Sequence, residues 1–592
     1  MLFGKHINKF YIKYGLWLLL GIATLFAVDY FQLLIPECYR MVINGVKNGV
    51  VDVGGGVTET FDLDFLFRRI CVPMFVVIVV MVFGRFLWRM CFFGSGSKVE
   101  RDLRRKMFDK AKDLSVSYYQ REKIGNLMSL FTNDLETVQD CFGSGILMAA
   151  DAILLGTMSL YKMFVMDWVL TLFTLIPIGL MFAAGMVVGH YMEMKWDERQ
   201  KAFSDLSDFA QESFSGIAVI KAFVKEFKEL LAFKRLNKNN EKANVSYVKA
   251  SALLNTLVSL FVESVVCIIL GYGGYLVYQG KFDAGELMEF IGYFNAIIWP
   301  VMSVTELIEM SSRGRASLKR VSELLDAVQE VDDKPTATDV TEVTGKIEFR
   351  HLTFRYPDGD YEALSNVSFT INPGESVGIV GKTGSGKTTV ADLILRCYNV
   401  PDGTLLIDDK DVNDITIHSL RNFCAYVPQD NFLFSDTIAD NISFASDTDE
   451  RALVERSAAL ADVDDNIREF ANGYDTVLGE RGVTVSGGQK QRISIARALM
   501  KEAAILILDD SVSAVDTDTE RVILDNLRQT RKGKTTLLVA HRVTTVQNLD
   551  KIVYLDGGKV LDVGTHEQLV ARCAEYRNMV ELQKLDEEED NA

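Results

Sequence analysis

What this chain of 592 residues lacks sets the first limits on it. Its eight cysteines (38, 71, 91, 141, 267, 397, 424 and 573) form no CxxC pair and share no metal-ligand spacing with the six histidines. That excludes a disulfide framework and a zinc site, and leaves buried or free thiols in a reducing compartment. A positive charge balance is missing as well: 63 Lys and Arg stand against 80 Asp and Glu, a net −17, which argues against a general nucleic-acid partner. No cleavable signal peptide is visible, because the first apolar run leads into further apolar runs without a small-residue cleavage site. What is present is a mixture, 48% hydrophobic residues with 36 Phe beside 24% charged residues, the composition of membrane spans joined to a soluble domain.

Apolar runs at 14–35, 69–93, 143–164, 166–188, 253–278 and 285–309 each come near the ~20 residues that cross a hydrocarbon core, so the lipid bilayer is the solvent of the first half. Basic residues gather on alternate connections. Lys5, Lys9 and Lys13 flank the first run, Arg101, Arg104, Arg105, Lys106 and Lys110 follow the second, and Lys221, Lys225, Lys228, Lys234 and Arg235 follow the fourth. The Tyr161–Trp168 and Gln279–Glu286 connections are short and nearly uncharged. The positive-inside rule therefore places the N-terminus and the long connections in the cytoplasm. Those connections, 94–142 and 189–252, contain no proline and carry periodic apolar residues, so they are expected to continue the membrane helices as helices.

Five ionisable residues interrupt the runs: Asp29, Glu263, Glu289, Glu306 and Glu309. A charge at mid-membrane is costly unless it faces a cavity or a partner. Glu263, halfway along its span, is the candidate for contact with a cationic amphipathic substrate; the competing expectation is a polar contact between helices. Asp29, Glu289 and Glu309 are expected near interfaces, where they reach water. Pro300 is expected to kink the sixth helix.

After a charged amphipathic helix and a polar linker, Val331–Gly345, the pattern changes to short strands and helices. The strand SVGIVG leads into a loop and helix with the spacing Gly381-x4-Gly386-Lys387-Thr388, a phosphate-binding loop in its strand–loop–helix setting. Gly381, Lys382, Thr383, Gly384, Ser385, Gly386, Lys387, Thr388 and Thr389 would wrap the phosphates, Lys387 reaching the β and γ oxygens and the Thr388 hydroxyl reaching Mg²⁺. Further on, Ser486, Gly487, Gly488 and Gln489 open a basic amphipathic helix whose uncovered amides suit an anion. Ile505–Leu508 would be a strand buried on both faces, with Asp509 at its carboxyl end, where open α/β sheets put their chemistry.

In this order the segments over 346–582 resemble the nucleotide-binding domain of ATP-binding cassette (ABC) transporters, and the six spans resemble the transmembrane domain of ABC exporters. The resemblance implies a multidomain fold: a six-helix all-α transmembrane domain over 1–325 with long cytoplasmic helical extensions, a linker over 326–345, an α/β P-loop domain over 346–582 and an acidic tail over 583–592. It makes Tyr356 the aromatic that stacks on adenine, Gln429 a ligand of Mg²⁺ or of the attacking water, Asp509 the Walker B ligand of Mg²⁺ and His541 the switch histidine at the γ-phosphate. Asp516 closes the D-loop, and Gly479–Gly482 (GERG) resembles the X-loop. Coupling helices are implied near Ser115–Gly125 and Ile220–Glu229, where Ser215–Phe223 (SGIAVIKAF) resembles the second loop of the family.

Asp510 departs from the family pattern, which has glutamate after the Walker B aspartate. Its carboxylate is one methylene shorter, and a misplacement of about an ångström can cost ~10²-fold in rate. The signature at 486–489 is nearly intact. One weakened and one sound half resemble the Asp-bearing subunit of bacterial heterodimeric multidrug exporters. ATP and Mg²⁺ are then the cofactors, a second half-transporter is the partner, the substrate is a small amphipathic or drug-like compound, and the site is the cytoplasmic (inner) membrane. The competing readings are a homodimeric exporter or lipid flippase, an ATP-gated channel or regulatory subunit, and an importer of the same fold. A soluble ABC ATPase is excluded by the spans, and a peptide-processing exporter by the short stretch ahead of the first span.

Overall fold

The computed structural model describes residues 4–52, 58–479, 482 and 484–590. They form two compact units: residues 1–108 with 128–325, and residues 109–127 with 326–592.

The first unit is helical. Among the described residues six helices are long and apolar enough to cross a membrane: Gly15–Asn48, Leu63–Asp113, Ile124–Met166, Trp168–Ser215, Glu226–Tyr278 and Ala284–Asp326. All five after the first exceed 40 residues, so at ~1.5 Å per residue each runs well beyond a hydrocarbon core of about 30 Å. Both long connections are therefore helical continuations, as their lack of proline predicts. The first helix is interrupted at Leu33, between Gly15–Gln32 and Leu34–Asn48. Pro36 accounts for this, since its ring crowds the carbonyl four residues earlier, at Gln32. At the tight turn after Met166, Asp167 caps the next helix by accepting from the Leu170 amide at 2.6 Å. Pro300 lies inside a helix that continues to Asp326.

The membrane carboxylates divide unexpectedly. Asp29 and Glu289 are buried, 3% and 6% exposed, and do not reach water as expected. Glu289 accepts from the Tyr293 hydroxyl at 2.7 Å and pairs with Arg40 at 3.1 Å. Glu37, which also accepts from Tyr293 at 3.3 Å, pairs with Lys162 at 2.5 Å, so three helices share one ionic network. Glu309 is exposed beside Arg313. Glu263 is exposed on this chain, and among the described residues it has no hydrogen bond or ion pair.

The second unit contains two sheets. A six-stranded sheet has the order Lys559–Gly564, Lys551–Asp556, Ser376–Gly381, Thr535–Ala540, Ile505–Asp509, Cys424–Val427, parallel except for its first pair. Its inner strands are apolar on both faces, as strands covered on each side must be. An antiparallel sheet of four strands (Leu364–Ile371, Ile347–Phe354, Leu405–Ile407, Lys410–Asp411) lies beside it in the chain order.

The polar stretch before Gly345 is fastened to this unit rather than free. Arg396, 1% exposed, pairs with Asp333 at 3.1 Å and donates to the carbonyls of Asp332 and Ile415. Asp408 accepts from the amides of Thr344, Gly345 and Lys346. The short helix Val116–Arg121, inside the expected Ser115–Gly125 stretch, also belongs to this unit. Ser117 and Arg121 bond Glu330, and Gln120 accepts from the Tyr398 hydroxyl at 2.6 Å. The corresponding helix in the other long connection is Ile217–Ala222, starting slightly earlier than expected and with no buried residue.

Replacing Arg396 by Met strands two carbonyls and a carboxylate, and breaking a buried pair costs about 3 kcal/mol. Calorimetry of the full chain should show the second unit melting roughly 10 °C lower, with the first unit's transition unmoved.

Candidate nucleotide-binding site

The site is set by three neighbouring parallel strands. Thr535–Ala540 lies between Ser376–Gly381 and Ile505–Asp509, in a register that pairs Ala540 with Val380 and Val539 with Asp509. Their carboxyl ends are therefore level, and the loop after Gly381, the Asp509–Asp510 pair and His541 emerge side by side.

Gly381 begins the phosphate loop because no other residue fits: a Cβ there would lie 1.9 Å from the Leu555 carbonyl oxygen. The loop turns through left-handed Gly384 and Gly386 and delivers the chain into the helix Lys387–Ile394, whose N-terminal amides favour an anion. Lys387 is 6% exposed and its ammonium donates to the carbonyls of Gly381 at 2.9 Å and Lys382 at 3.0 Å. Burial pushes its pKa down, and the charges of Asp510 and Asp509 oppose that shift.

The Thr388 hydroxyl donates to Asp509 Oδ1 at 3.2 Å. Asp509 is 1% exposed; its Oδ2, like Ser385 Oγ, is buried with no hydrogen-bond partner among the described residues. Burial drives the Asp509 pKa up, against the Thr388 hydrogen bond. A buried carboxylate with an unused oxygen, a hydroxyl beside it and a phosphate loop make a fitting donor set for Mg²⁺, which takes few protein ligands and completes its shell with phosphates and water. Among the described residues no cluster of three or more His, Cys, Asp or Glu could hold a metal by itself.

The Tyr356 hydroxyl lies 2.8 Å from Thr389 Oγ1, and its ring is edge-on to Phe354 and Tyr398. Asp510 adopts a left-handed conformation, φ +46, with its amide donating to the Val539 carbonyl at 2.9 Å. Its charge is felt at Lys387, Asp509 and His541, so these four are assembled together. Burial first, and then Lys387, holds the His541 imidazole below its usual pKa. Gln429 is exposed and its side chain is not brought into this cluster.

Ser486 caps the helix Gly487–Met500 in a reciprocal box: its hydroxyl accepts from the Gln489 amide at 3.3 Å, and the Gln489 side chain accepts from the Ser486 amide at 3.0 Å. Ser486 and Gly487 are exposed, whereas a Cβ on Gly488 would meet the Ala514 carbonyl oxygen at 3.0 Å. Asp516 caps the helix Thr517–Thr530, and the Thr519 hydrogen bonds hold its carboxyl below the usual range. The GERG stretch at 479–482 includes Glu480 and Arg481, which lie outside the described residues.

Two supporting residues escape sequence reasoning. Gln583 bridges the turn at His541, donating to its carbonyl and accepting from the Val543 amide, both at 2.8 Å. Gln491 accepts from the Ala514 amide at 3.0 Å, tying the Ser486 helix to the turn before Asp516. Gln583 is remote in sequence and carries no local signal; Gln491 is masked by the basic, amphipathic pattern of its helix.

Comparison with known proteins finds similarity over both units. Residues 18–301 match the family described as the ABC transporter transmembrane region, and residues 364–513 match the ABC transporter family. The chain is 36% identical to the "Probable multidrug resistance ABC transporter ATP-binding/permease protein YheI" of Bacillus subtilis (strain 168), over 98% of this chain and 97% of that protein. It is 33% identical to the "Multidrug resistance-like ATP-binding protein MdlA" of Escherichia coli (strain K12), over 97% and 95%. It is 34% identical to the "ATP-dependent lipid A-core flippase" of Syntrophus aciditrophicus (strain SB), over 86% and 85%. A solved structure of a bacterial Atm1-family ABC exporter with ATP bound is similar over 98% of both chains, with a TM-score of 0.75 and 27% identity.

Substitution of Gly381 and of Gly488 should have separable effects. Gly381→Ala should weaken binding of a fluorescent ATP analogue at least ~100-fold, because the loop cannot close over phosphate. Gly488→Ala should leave that binding within about twofold while reducing ATP turnover of the assembled transporter about tenfold or more.

Proposed function

Since this chain belongs to the ABC transporter family, as a six-span half-transporter of exporter fold with one ATPase domain, we propose that it exports small amphipathic or drug-like compounds as one half of a heterodimer. Similarity over nearly its whole length to two proteins named for multidrug resistance supports the substrate class. The basic connections support a cytoplasmic (inner) membrane location with the ATPase domain on the cytoplasmic side. One observation carries the heterodimer: Asp510 stands where the family's glutamate orients or deprotonates the attacking water.

In the proposed site Lys387 binds the β and γ phosphates, the loop amides from Gly381 to Thr389 enclose them, and Tyr356 stacks on adenine. Mg²⁺ held by Thr388 and Asp509, with Gln429 once its loop closes, would neutralise charge on the transferred phosphoryl group. His541 contacts the γ-phosphate. Asp510 is left to hold the attacking water with a carboxylate drawn back by about an ångström, and loss of general-base action typically costs ~10² to 10⁴ in rate. The exposed Ser486–Gln489 cap, with its amides uncovered and Asp516 nearby in sequence, is offered to the ATP held by the partner's loop. Hydrolysis is then fastest at that second ATP, by in-line attack of water. Substrate and ATP act by biasing one equilibrium between inward- and outward-facing states, which the helices at Val116–Arg121 and Ile217–Ala222 transmit.

The 34% identity to a lipid A-core flippase favours a second substrate reading, a lipid moved between leaflets. A fluorescent-lipid translocation assay beside dye efflux separates the two.

The direct test is Mg²⁺-ATP turnover of this chain purified alone in lipid. Wild type should be slow, Asp510→Glu should raise turnover about tenfold or more, and Asp510→Ala should change little. Brisk wild-type turnover abolished in Asp510→Ala would mean a working homodimer.

A further inference from the structure

His541 directly follows the strand Thr535–Ala540, and among the described residues its imidazole makes no hydrogen bond. The ring therefore points where the backbone at 541 sends it. That backbone runs into Val543–Val546, a helix of 4 residues that is too short to hold itself. The cap position belongs to Arg542, an exposed residue whose side chain makes no cap hydrogen bond, so nothing local satisfies the Val543 amide at the helix start.

Gln583 supplies what Arg542 does not. Its Oε1 accepts from the Val543 amide and its Nε2 donates to the His541 carbonyl, both at 2.8 Å. Between that carbonyl and that amide lie only the φ and ψ of Arg542, −97 and 134, so one side-chain amide fixes both dihedrals. The clamp is carried by the helix Ala574–Asp590, on which Tyr576, Val580 and Gln583 share one face at i, i+4 and i+7. Tyr576 is fully buried and Val580 nearly so, in the apolar cluster that also holds Val543 and Val546. The Tyr576 hydroxyl is anchored in turn, 2.9 Å from His566 Nδ1. Docking of the helix is thus provided by Tyr576 and Val580. What the half-buried Gln583 adds is the orientation of the turn at His541.

We propose that Gln583 is a positioning residue for His541: it locks the turn so that the imidazole faces the γ-phosphate, and it makes ATP turnover conditional on docking of the helix Ala574–Asp590. The proposal rests on the reading of His541 as the γ-phosphate contact. Gln583 touches neither nucleotide nor water in this role and acts only through the backbone on either side of Arg542.

The test is a double-mutant cycle of His541→Ala and Gln583→Met in the full chain carrying Asp510→Glu, purified in lipid. Methionine has nearly the length of glutamine and can make neither bond. Each single change should lower kcat about tenfold or more while the KM for ATP stays within about twofold. Gln583→Met added to His541→Ala should change kcat less than twofold, because no ring is left to place. Gln583→Glu, which keeps an acceptor for the Val543 amide and loses the donor, should fall between glutamine and methionine, and it replaces Gln583→Met in the cycle if that variant does not fold. Losses that multiply in the double variant, or an unchanged kcat in Gln583→Met, would overturn the proposal while leaving the histidine's role intact. An unchanged kcat in His541→Ala would overturn the reading of the histidine, and the proposal with it, so the two failures are distinct. If turnover of the Asp510→Glu chain is too slow to measure, the same cycle is read from the ratio of ATP to ADP affinity, which a γ-phosphate contact raises for ATP alone.

Discussion

Burial of three inner strands of one parallel sheet constrains the nucleotide site of this chain. Ser376–Gly381, Thr535–Ala540 and Ile505–Asp509 are covered on both faces, so their backbone groups have no water and must pair with one another in a single register. That register levels their ends. It also buries Asp509 and forces the next residue, Asp510, into a left-handed turn against the Val539 carbonyl. A slip by one residue would invert which side chains reach the phosphate loop. The geometry of the site is thus a consequence of hydrogen-bond accounting in a dry sheet.

The membrane unit obeys the same accounting with a different solvent. Its helices satisfy their own backbones, so freedom remains only in side chains, and there the expensive groups are paired. Glu37, Lys162, Tyr293, Glu289 and Arg40 complete one another. Asp29 is buried outside that network, and its Oδ2 is unpaired among the described residues. Val116–Arg121 belongs to the ATPase unit, where Gln120 accepts from Tyr398 and Tyr398 packs on Tyr356, so movement at the Tyr356 ring has a short path to that helix.

Much of this was legible in the sequence, for identifiable reasons. Spans, helical connections and the phosphate loop depend on local pattern: apolar run length, absence of proline, and glycines at fixed spacing. The cap at Ser486–Gln489 is equally local, one residue bonding another three positions on. What escaped is nonlocal. Asp29 and Glu289 read as water-reaching because a single helix does not disclose which neighbours cover it, and Asp151 and Trp299 gave no signal until helix packing joined them by a hydrogen bond. The stretch before Gly345 reads as a free linker from its polar composition, yet Arg396 and Asp408 fasten it through contacts more than sixty residues apart. Gln583 acts on His541 from a helix whose own pattern is merely amphipathic.

The central claim is asymmetry: this chain contributes a sound signature and a weak water-holding carboxylate. The most direct measurement is ATP turnover of the assembly purified from its own membrane through a tag on this chain, comparing Ser486→Arg with Asp510→Ala. The account predicts that Ser486→Arg abolishes turnover while Asp510→Ala lowers it less than about threefold. Equal, near-complete loss in both variants would contradict it, and would mean that Asp510 holds the water of the working site.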